Sequence, residues 1–250
     1  MKRIFGILLA ALIVLGLVGC GNKTAQKHKK VVLHKLQNKV KPMHIGDKYV
    51  YAVDVMFVEP GKAQEVRGMQ TLAIIGTVRT AQGVTAYVRQ TELHEQTEAK
   101  AVRDKKVFKT RTAKTSEYMY QDATGTEFEY GGINEAGKEF FITEPKQGFF
   151  VFQPSPITVG TTFHQKSKDT GGGTTDMNFK VIGTETITTP AGEFECYKIE
   201  SFGTNDGAEM KGMEWYAPQI GEDVRFAYST RDKSGKHRSN TGLQLVNVMP

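Results

Sequence analysis

Apolar and polar residues alternate along several segments of this chain with the period of two that is typical of β-strands. In the longest run, Tyr49, Tyr51, Val53, Val55 and Phe57 would share one face, and the residues between them would lie on the other. Alternation of this kind predicts antiparallel strands with one face packed on a core. Two shorter alternating runs are Met177-Phe179-Val181 and Val224-Phe226-Tyr228.

Turn sequences separate these segments. Asn205-Asp206-Gly207 is the clearest hairpin signal, because Asp-Gly accepts the positive φ that tight hairpins require. Pro190-Ala191-Gly192 and Asp232–Gly235 are similar breaks. Helical periodicity is scarce, and the Glu- and Ala-rich stretch from Thr91 to Arg103 is the best helix candidate. The sequence therefore predicts a mostly β fold with at most one or two short helices.

Three short segments of the first half recur in the same order in the second half. Chance is the alternative explanation, because any β-rich chain can repeat patterns of apolar residues with Gly and Thr. The recurrence predicts a duplicated antiparallel β-meander that forms an open or half-closed barrel, in one domain of residues 42–250 with halves at about 42–153 and 154–250. The matching segments are Ile45–Tyr49 with Val159–Phe163, Leu72–Thr77 with Phe179–Thr184, and Gly83–Val88 with Gly192–Ile199.

The long apolar run of the chain lies at its N-terminus, between Met1-Lys2-Arg3 and Cys20. It spans roughly 15 residues, fewer than the roughly 20 that cross a bilayer. A basic start, a short apolar stretch and a small residue before a cysteine resemble a bacterial lipoprotein signal peptide, with the lipobox Leu17-Val18-Gly19-Cys20. The resemblance implies removal of residues 1–19 and acylation of Cys20. It places the mature protein on the extracytoplasmic face of the cell membrane, or on the outer membrane if the source has two. An uncleaved anchor helix is the alternative.

Charge is distributed unevenly along the chain, whose net charge is +6. The segment from Gly21 to Lys41 holds seven lysines and no acid. Without these lysines and Lys2 and Arg3, 24 basic and 27 acidic residues remain, so Pro42 to Pro250 carries −3. A nucleic-acid-binding domain would carry basic charge on its folded part, which argues against that partner. The lysines instead predict contact with an anionic membrane surface.

The tether, residues 20–41, has two interpretations. Leu33, Leu36 and Val40 have helical spacing, which is compatible with a basic amphipathic helix on the membrane. A flexible lysine-rich spacer is the other interpretation. Pro42 would end either one.

The second half carries a more specific pattern, in the segments Pro190–Lys198 and Trp215–Gly221. The pattern PAGxFxCYK followed by WYAPxxG resembles one that recurs in uncharacterised bacterial secreted proteins and lipoproteins. The resemblance implies an open β-barrel, distantly similar in outline to the half-barrels of carriers that deliver lipoproteins to the outer membrane. It implies no reaction and no ligand, because fold alone does not fix function.

Reactive groups are few in this sequence. Cys196 has no partner once Cys20 is acylated, and we expect it to be a small buried hydrophobe. A catalytic thiol would need an adjacent base, and His164 and His237 are the nearest downstream candidates. Paired carboxylates of the glycosidase type could lie far apart in sequence, so the absence of a catalytic motif lowers the expectation of an enzyme without removing it.

Neither a metal nor a cofactor site is predicted. His94 could share a face with Glu92 on a strand or with Glu98 on a helix, but neither arrangement supplies three protein ligands. A solvated polar face is the preferred interpretation. Gly171-Gly172-Gly173 lacks the Lys-Ser/Thr and helix of a phosphate-binding loop, so a mobile hairpin loop is expected.

The leading hypothesis is a non-catalytic, membrane-anchored lipoprotein that binds an apolar ligand or a protein partner in the cell envelope. A closed, fully packed sheet would count against ligand carriage. The alternatives are an envelope hydrolase with sequence-distant carboxylates, and the solute-binding lipoprotein of a transporter, whose two lobes would alternate strands and helices. The aromatic residues expected to form a ligand-binding or packing face are Trp215, Tyr216, Phe226 and Tyr228.

Overall fold

The computed structural model describes residues 33–37, 39–60, 62–102 and 105–249, and every regular element in these ranges is a β-strand. No helix in the described ranges has the length and apolar character needed to cross a bilayer. The strands are β1 Leu33–His34, β2 Lys48–Glu59, β3 Lys62–Arg79, β4 Thr85–Val102, β5 Lys105–Gln121, β6 Glu127–Ile133, β7 Glu139–Glu144, β8 Phe150–Gln153, β9 Thr162–Asp169, β10 Thr174–Thr189, β11 Gly192–Asn205, β12 Ala208–Ala217, β13 Glu222–Arg231 and β14 Arg238–Met249.

Twelve of these strands form a closed antiparallel barrel in which consecutive strands are neighbours, except where β9 follows β7 and where β14 meets β2. The ring runs from β2 to β7 and from β9 to β14, and it closes where β14 pairs with β2 over the whole of both strands. The predicted mostly β, antiparallel fold is therefore confirmed, and closure goes beyond the open or half-closed barrel that was expected. Closure depends on pairing between the first and last strands of the ring, which no local pattern announces.

The barrel is least regular at the junction of its two halves. β7 and β9 share only two register pairs, Ile142 with Asp169 and Glu144 with Lys168. β7 and β8 pair with different parts of β6: β7 pairs with its last three residues, and β8 pairs with its first three. Its contact with β9 includes a side-chain bond, in which Gln165 Nε2 donates to the Phe152 carbonyl at 2.6 Å.

The predicted helix from Thr91 to Arg103 is wrong, because its described residues lie within β4. β4 is paired with β3 on one side and with β5 on the other. Leu93 and Glu95 point to the buried face while His94 is exposed, which is a period of two. Tertiary pairing outweighs the helix propensity of Glu and Ala.

The predicted hairpin turn at Asn205-Asp206-Gly207 is confirmed between β11 and β12. Asp206 and Gly207 adopt positive φ values of 48° and 74°. The turns at Pro190-Ala191 and Asp232–Gly235 also connect paired strands, β10 with β11 and β13 with β14.

The recurring sequence segments occupy equivalent positions in the two halves. Before β2, Gly46 N–H donates to the Ile74 carbonyl, and before β9, Gly160 N–H donates to the Val181 carbonyl, both at 2.8 Å. Each half then has a register shift, between Ile74 and Gly76 in β3 and between Val181 and Gly183 in β10. A further pair of shifts follows at Tyr118/Met119 in β5 and at Trp215/Tyr216 in β12.

The two halves also contribute equally to the ring, six strands each. Since neighbouring strands alternate in direction, β2 and β9 both begin at the same end of the barrel, six ring positions apart. Their preceding turns therefore lie on opposite sides of one rim. The division of the chain into two repeats at 153/154 stays a prediction.

Residues 33–37 and 39–47, here named the strap, lie across this end of the barrel, which we call the strap end; the other is the far end. β1 pairs in parallel with Glu193 and Phe194 of β11. Val40 is buried, and Lys41 N–H donates to the Pro218 carbonyl at 2.7 Å. Lys41 Nζ also lies 2.7 Å from the Asp47 carboxylate.

Both interpretations of the tether, an amphipathic helix and a flexible spacer, are wrong for its described residues 33–37 and 39–41, because these residues are extended and contact the barrel. Leu36 and Val40 pack onto the same apolar cluster from extended chain, so their spacing of four reflects two contacts with the barrel. Cys20 and residues 21–32 lie outside the described residues.

Candidate functional site

The four aromatic residues predicted to form one face belong to two different clusters. Tyr216, Phe226 and Tyr228 pack with apolar residues of β10, β11 and β12, including Phe179 and Ile199. Trp215 packs with residues such as Ile187, Phe194 and Cys196 of the hairpin from β10 to β11, and Phe226 contacts this second cluster as well. Trp215 and Tyr216 are adjacent in β12, and a register shift between them separates the residue of one cluster from the residue of the other. All four residues have packing contacts.

Trp215 is held in place by charged groups. Its indole N–H donates to Glu185 at 3.0 Å. Arg225 and Lys198 lie over its ring, 5.0 and 5.4 Å from the centroid. Since only 8% of Trp215 is exposed, these contacts leave little of the ring for a ligand.

Cys196 is fully buried, which confirms the prediction for this side chain. Burial raises the pKa of its thiol far above the ordinary value. A thiol in this state is not a nucleophile. Neither His164 nor His237 is buried beside it, since both form surface ion pairs, with Asp176 and with Glu59.

His94 lies on the surface with Glu92 on the same strand face, its Nε2 3.3 Å from the glutamate carboxylate and its Nδ1 3.1 Å from the Thr112 hydroxyl. The side chain of Glu98 lies outside the described part of the chain. Among the described residues, no three His, Cys, Asp or Glu side chains converge as metal ligands. Gly171–Gly173 connect β9 to β10, and Asp169 accepts a hydrogen bond from Gly173 N–H.

A buried charged group that no sequence motif announced lies inside the barrel near the strap end. Arg89 of β4 is 5% exposed. Its Nε lies 2.7 Å from Glu117 of β5, and its Nη1 lies 3.6 Å from Glu222 of β13. The ring of Phe152 lies beneath the guanidinium, 4.6 Å from its carbon. We call Arg89, Glu117, Glu127 and Glu222 the Arg89 centre.

Acids outnumber bases in the Arg89 centre. Burial raises the pKa of Glu127 to about 8 and that of Glu222 to about 7, although the charge of Arg89 opposes both shifts. Burial also raises the pKa of the neighbouring Glu129. Burial alone would lower the pKa of Arg89, but the surrounding carboxylates raise it above its ordinary value. One permanent cation is therefore surrounded by carboxyls, of which Glu127 and Glu222 take up protons near neutral pH.

Gln121 connects the Arg89 centre to the strap. Its amide nitrogen donates to Glu127 at 3.3 Å and to the Lys41 carbonyl at 3.1 Å. Its amide oxygen accepts from Met43 N–H at 3.1 Å. On the outer side of Gln121, a cavity of about 300 Å³ lies between the strap and the turn from β5 to β6. Its lining includes Val40, Pro42, Met43, Tyr87, Gln121 and Asp122.

The sequence could not reveal the Arg89 centre, because its members come from β4, β5, β6 and β13. Only the long-range register brings them together. A weak signal was present in Glu127 and Glu129, which alternate with aromatic residues in a strand that is otherwise apolar or glycine.

Comparisons with known proteins were made for sequence and for fold. A family model described as DUF3108-like matches residues 157–243, about a third of the chain, from just before β9 into β14. No curated protein matches.

Two solved structures are similar. One is a protein from Bacteroides fragilis described as exported with a YmcC-like fold, with 14% identity, 85% of this chain and 99% of that chain covered, and a TM-score of 0.35. The other is a protein from Parabacteroides distasonis described as a lipoprotein, with 15% identity, 86% and 99% coverage, and a TM-score of 0.33. At these values neither similarity indicates a function for this chain. What the comparisons establish is that the second half of the barrel, residues 157–243, is DUF3108-like in sequence.

Proposed function

We propose that the chain is a membrane-anchored extracytoplasmic lipoprotein without catalytic activity. Its β-barrel, whose interior is filled by side chains, binds a protein partner at the membrane surface. The observation that carries the proposal is the strap, which joins the predicted anchor to one specific end of the barrel. Leu33 follows Cys20 by 13 residues, which reach at most about 45 Å when fully extended. The strap end therefore stays within this distance of the membrane, and the far end is accessible to a partner in the envelope.

Packing of the interior favours a protein partner over an apolar ligand. Residues such as Val55, Leu243 and Leu245 of the ring strands are buried in one apolar cluster, and Val181 and Ile199 in another. Buried side chains take the space that a carried lipid would occupy.

The far end offers an apolar surface to such a partner. Met56, Phe57 and Val58 are exposed in succession near the end of β2. Beside them, a cavity of about 240 Å³ is lined by residues that include Phe57, Gln64 and His237. Because strand side chains alternate, Met56 and Val58 lie on one face of β2 and Phe57 on the other, so this end presents exposed apolar side chains on both faces of the strand. Exposed apolar side chains grouped at one place are typical of protein interaction sites.

The anchor is tested by Cys20→Ala in the full chain expressed in a bacterial host with labelled palmitate. We expect loss of label and failure of signal removal, because the acylated sulfur is gone. A variant that is still acylated at its N-terminus would contradict the lipobox assignment.

The choice between partner and ligand is tested with two measurements on the acylated protein. Native mass spectrometry should detect no co-purified lipid beyond the covalent acyl chains. A photo-crosslinker at Met56 should give one discrete adduct in cells, Val58→Glu on the same strand face should abolish it, and a crosslinker at the exposed Lys114 of β5 should give none. Bound lipid without such an adduct would support carriage instead.

A second candidate function, an envelope hydrolase, is favoured by the buried acids. Glu127, whose pKa is raised to about 8, is protonated at neutral pH, as a general acid must be. Gln121 separates it from the cavity beneath the strap. Hydrolysis of chromogenic glycosides by the native protein, abolished in Glu127→Gln, would support this candidate over the first. The solute-binding alternative loses its basis, because it needs alternating strands and helices and the described residues form strands alone.

A further inference from the structure

The strap-end rim carries exposed aliphatic side chains at four positions that the duplication relates to one another. Ile45 is 61% exposed and Val159 is 56% exposed, at the same place in the two equivalent turns. Ile75 and Ile182 are 50% and 42% exposed, at the same place in the two equivalent register shifts.

The turns bring these residues together in two pairs. Gly46 N–H donates to the Ile74 carbonyl, so Ile45 and Ile75 are each next in sequence to one partner of this hydrogen bond. The bond from Gly160 N–H to the Val181 carbonyl relates Val159 and Ile182 in the same way. Because β2 and β9 are six positions apart in the twelve-strand ring, the two apolar pairs lie on opposite sides of the rim. The β3–β4 and β10–β11 hairpins extend past the two pairs at this end, so a bilayer that receives these hairpins would touch both pairs.

We propose that the strap-end rim rests directly on an anionic bilayer, with the pair Ile45/Ile75 and the pair Val159/Ile182 inserted at its interface. This inference rests on the proposed function, since it takes the membrane to be where Cys20 holds the chain. An acyl anchor with a 13-residue connection would by itself permit many orientations and distances. Two apolar contacts on opposite sides of the rim would select one orientation, with the barrel axis upright.

Position and charge both favour a bilayer as the occupant. Leu33, the first described residue, lies at this end and is itself 42% exposed, so the described chain begins at the same rim. Exposed basic residues accompany the apolar pairs: Lys35, Lys39, Arg79 and Lys180. Among the nearby acids, Asp47 is buried and paired with Lys41, and Glu195 accepts a hydrogen bond from Leu36 N–H. Exposed aliphatic side chains beside lysine and arginine are the composition of peripheral membrane surfaces.

Depth-dependent quenching tests the proposal in the full acylated chain reconstituted in phosphatidylcholine–phosphatidylglycerol vesicles. Ile45→Cys or Val159→Cys carries an environment-sensitive dye, and buried Cys196 and acylated Cys20 do not react. Phe202→Cys is the matched control, because Phe202 is 51% exposed but lies toward the far end of β11. We expect brominated lipids to quench the dyes at positions 45 and 159 and to leave the dye at 202 unquenched.

The possible outcomes separate this inference from the proposed function. Protein that floats with the vesicles but shows no quenching at 45 and 159, or quenching at only one of them, overturns the two-point contact and leaves the anchor intact. Protein that does not float overturns the proposed function and this inference with it.

A dye-free variant provides an independent measurement. Serine at Ile45, Ile75, Val159 and Ile182 together should accelerate transfer of the acylated protein to acceptor vesicles by about tenfold, since four aliphatic side chains lose their interfacial contacts. Phe202→Ser should transfer at the native rate. Equal rates for the two variants would overturn the proposal.

Discussion

The two halves of the barrel place different side chains at equivalent interior positions. In the first half, Arg89 lies opposite Ile74 on one side and Glu117 on the other. In the second half, the register shifts place Ile199 at the equivalent position, opposite Val181 and Glu214. The glutamate is thus present in both halves, and its cationic partner in only one.

The two halves compensate this glutamate differently, Glu117 being half-buried and Glu214 buried. Glu117 forms an ion pair with Arg89. Glu214 accepts a hydrogen bond from the Tyr228 hydroxyl, and burial raises its pKa. The fold therefore tolerates a carboxyl at this position if it is paired with a cation or if protonation and a neutral donor compensate it.

The largest expected effect comes from removing the cation of the first half. Arg89→Met leaves Glu117, Glu127 and Glu222 without their shared counter-charge. We expect the free energy of unfolding at pH 8 to fall by about 3–5 kcal/mol, as when one partner of a buried ion pair is removed. Urea unfolding of Ile199→Met, the matched change in the second half, should show a loss below about 1.5 kcal/mol. Equal losses would contradict the asymmetry.

The second largest effect on stability is expected from Glu127 of the first half and Glu222 of the second half, which both face Arg89. Glutamate in an unfolded chain has a pKa of about 4.3, whereas the pKa values of Glu127 and Glu222 in the folded protein are raised to about 8 and about 7. Between these values the folded state binds more protons than the unfolded state. The free energy of unfolding should therefore decrease as the pH rises from about 5 to about 8, by at least about 2 kcal/mol.

Calorimetry across this pH range provides the measurement. The double variant Glu127→Gln/Glu222→Gln removes both titrating groups and should flatten the profile. Replacing the exposed Glu200 and Glu209 by Gln should leave the profile unchanged. A steep profile in the first variant would show that other groups cause the pH dependence.

Local patterns predicted the parts of this molecule that local chemistry determines. Tyr51 and Val53 revealed their strand, and Asp206-Gly207 revealed its turn, because period and positive φ are properties of a few adjacent residues. The stretch from Thr91 misled, because its Glu and Ala content hides the buried side chains of Leu93 and Glu95. Closure of the ring and the Arg89 centre depend on pairing between distant strands, and the burial of the strap depends on contacts with β11 and with Pro218.

A smaller effect is expected from the neutral donor of the second half. Tyr228→Phe deletes the hydroxyl that compensates buried Glu214, which should cost about 1–2 kcal/mol, as for a buried polar group that loses its partner. Tyr118→Phe is the matched change in the first half, where the hydroxyl donates at 2.7 Å to the exposed Glu139. Because water can replace that partner, its cost should stay below about 0.5 kcal/mol. A reversed order in urea unfolding would show that Glu214 does not depend on Tyr228.

The smallest expected effect tests whether the halves are structurally equivalent where their residues agree. Gly76 and Gly183 occupy the same place in the two register shifts, and a β-carbon added at either would meet no atom within 4 Å. Since neither has a positive φ among the described glycines, alanine fits both backbones and removes freedom from the unfolded chain. Gly76→Ala and Gly183→Ala should each stabilise the protein by about 0.4–1 kcal/mol. The double variant should be stabilised by their sum, because the sites lie in opposite parts of the ring.

Gly132→Ala is the contrasting control. Its β-carbon would clash with the Ser116 carbonyl oxygen, so this substitution should destabilise the barrel. Opposite signs for Gly76→Ala and Gly183→Ala would mean that the two shifts share a hydrogen-bond pattern without sharing an environment.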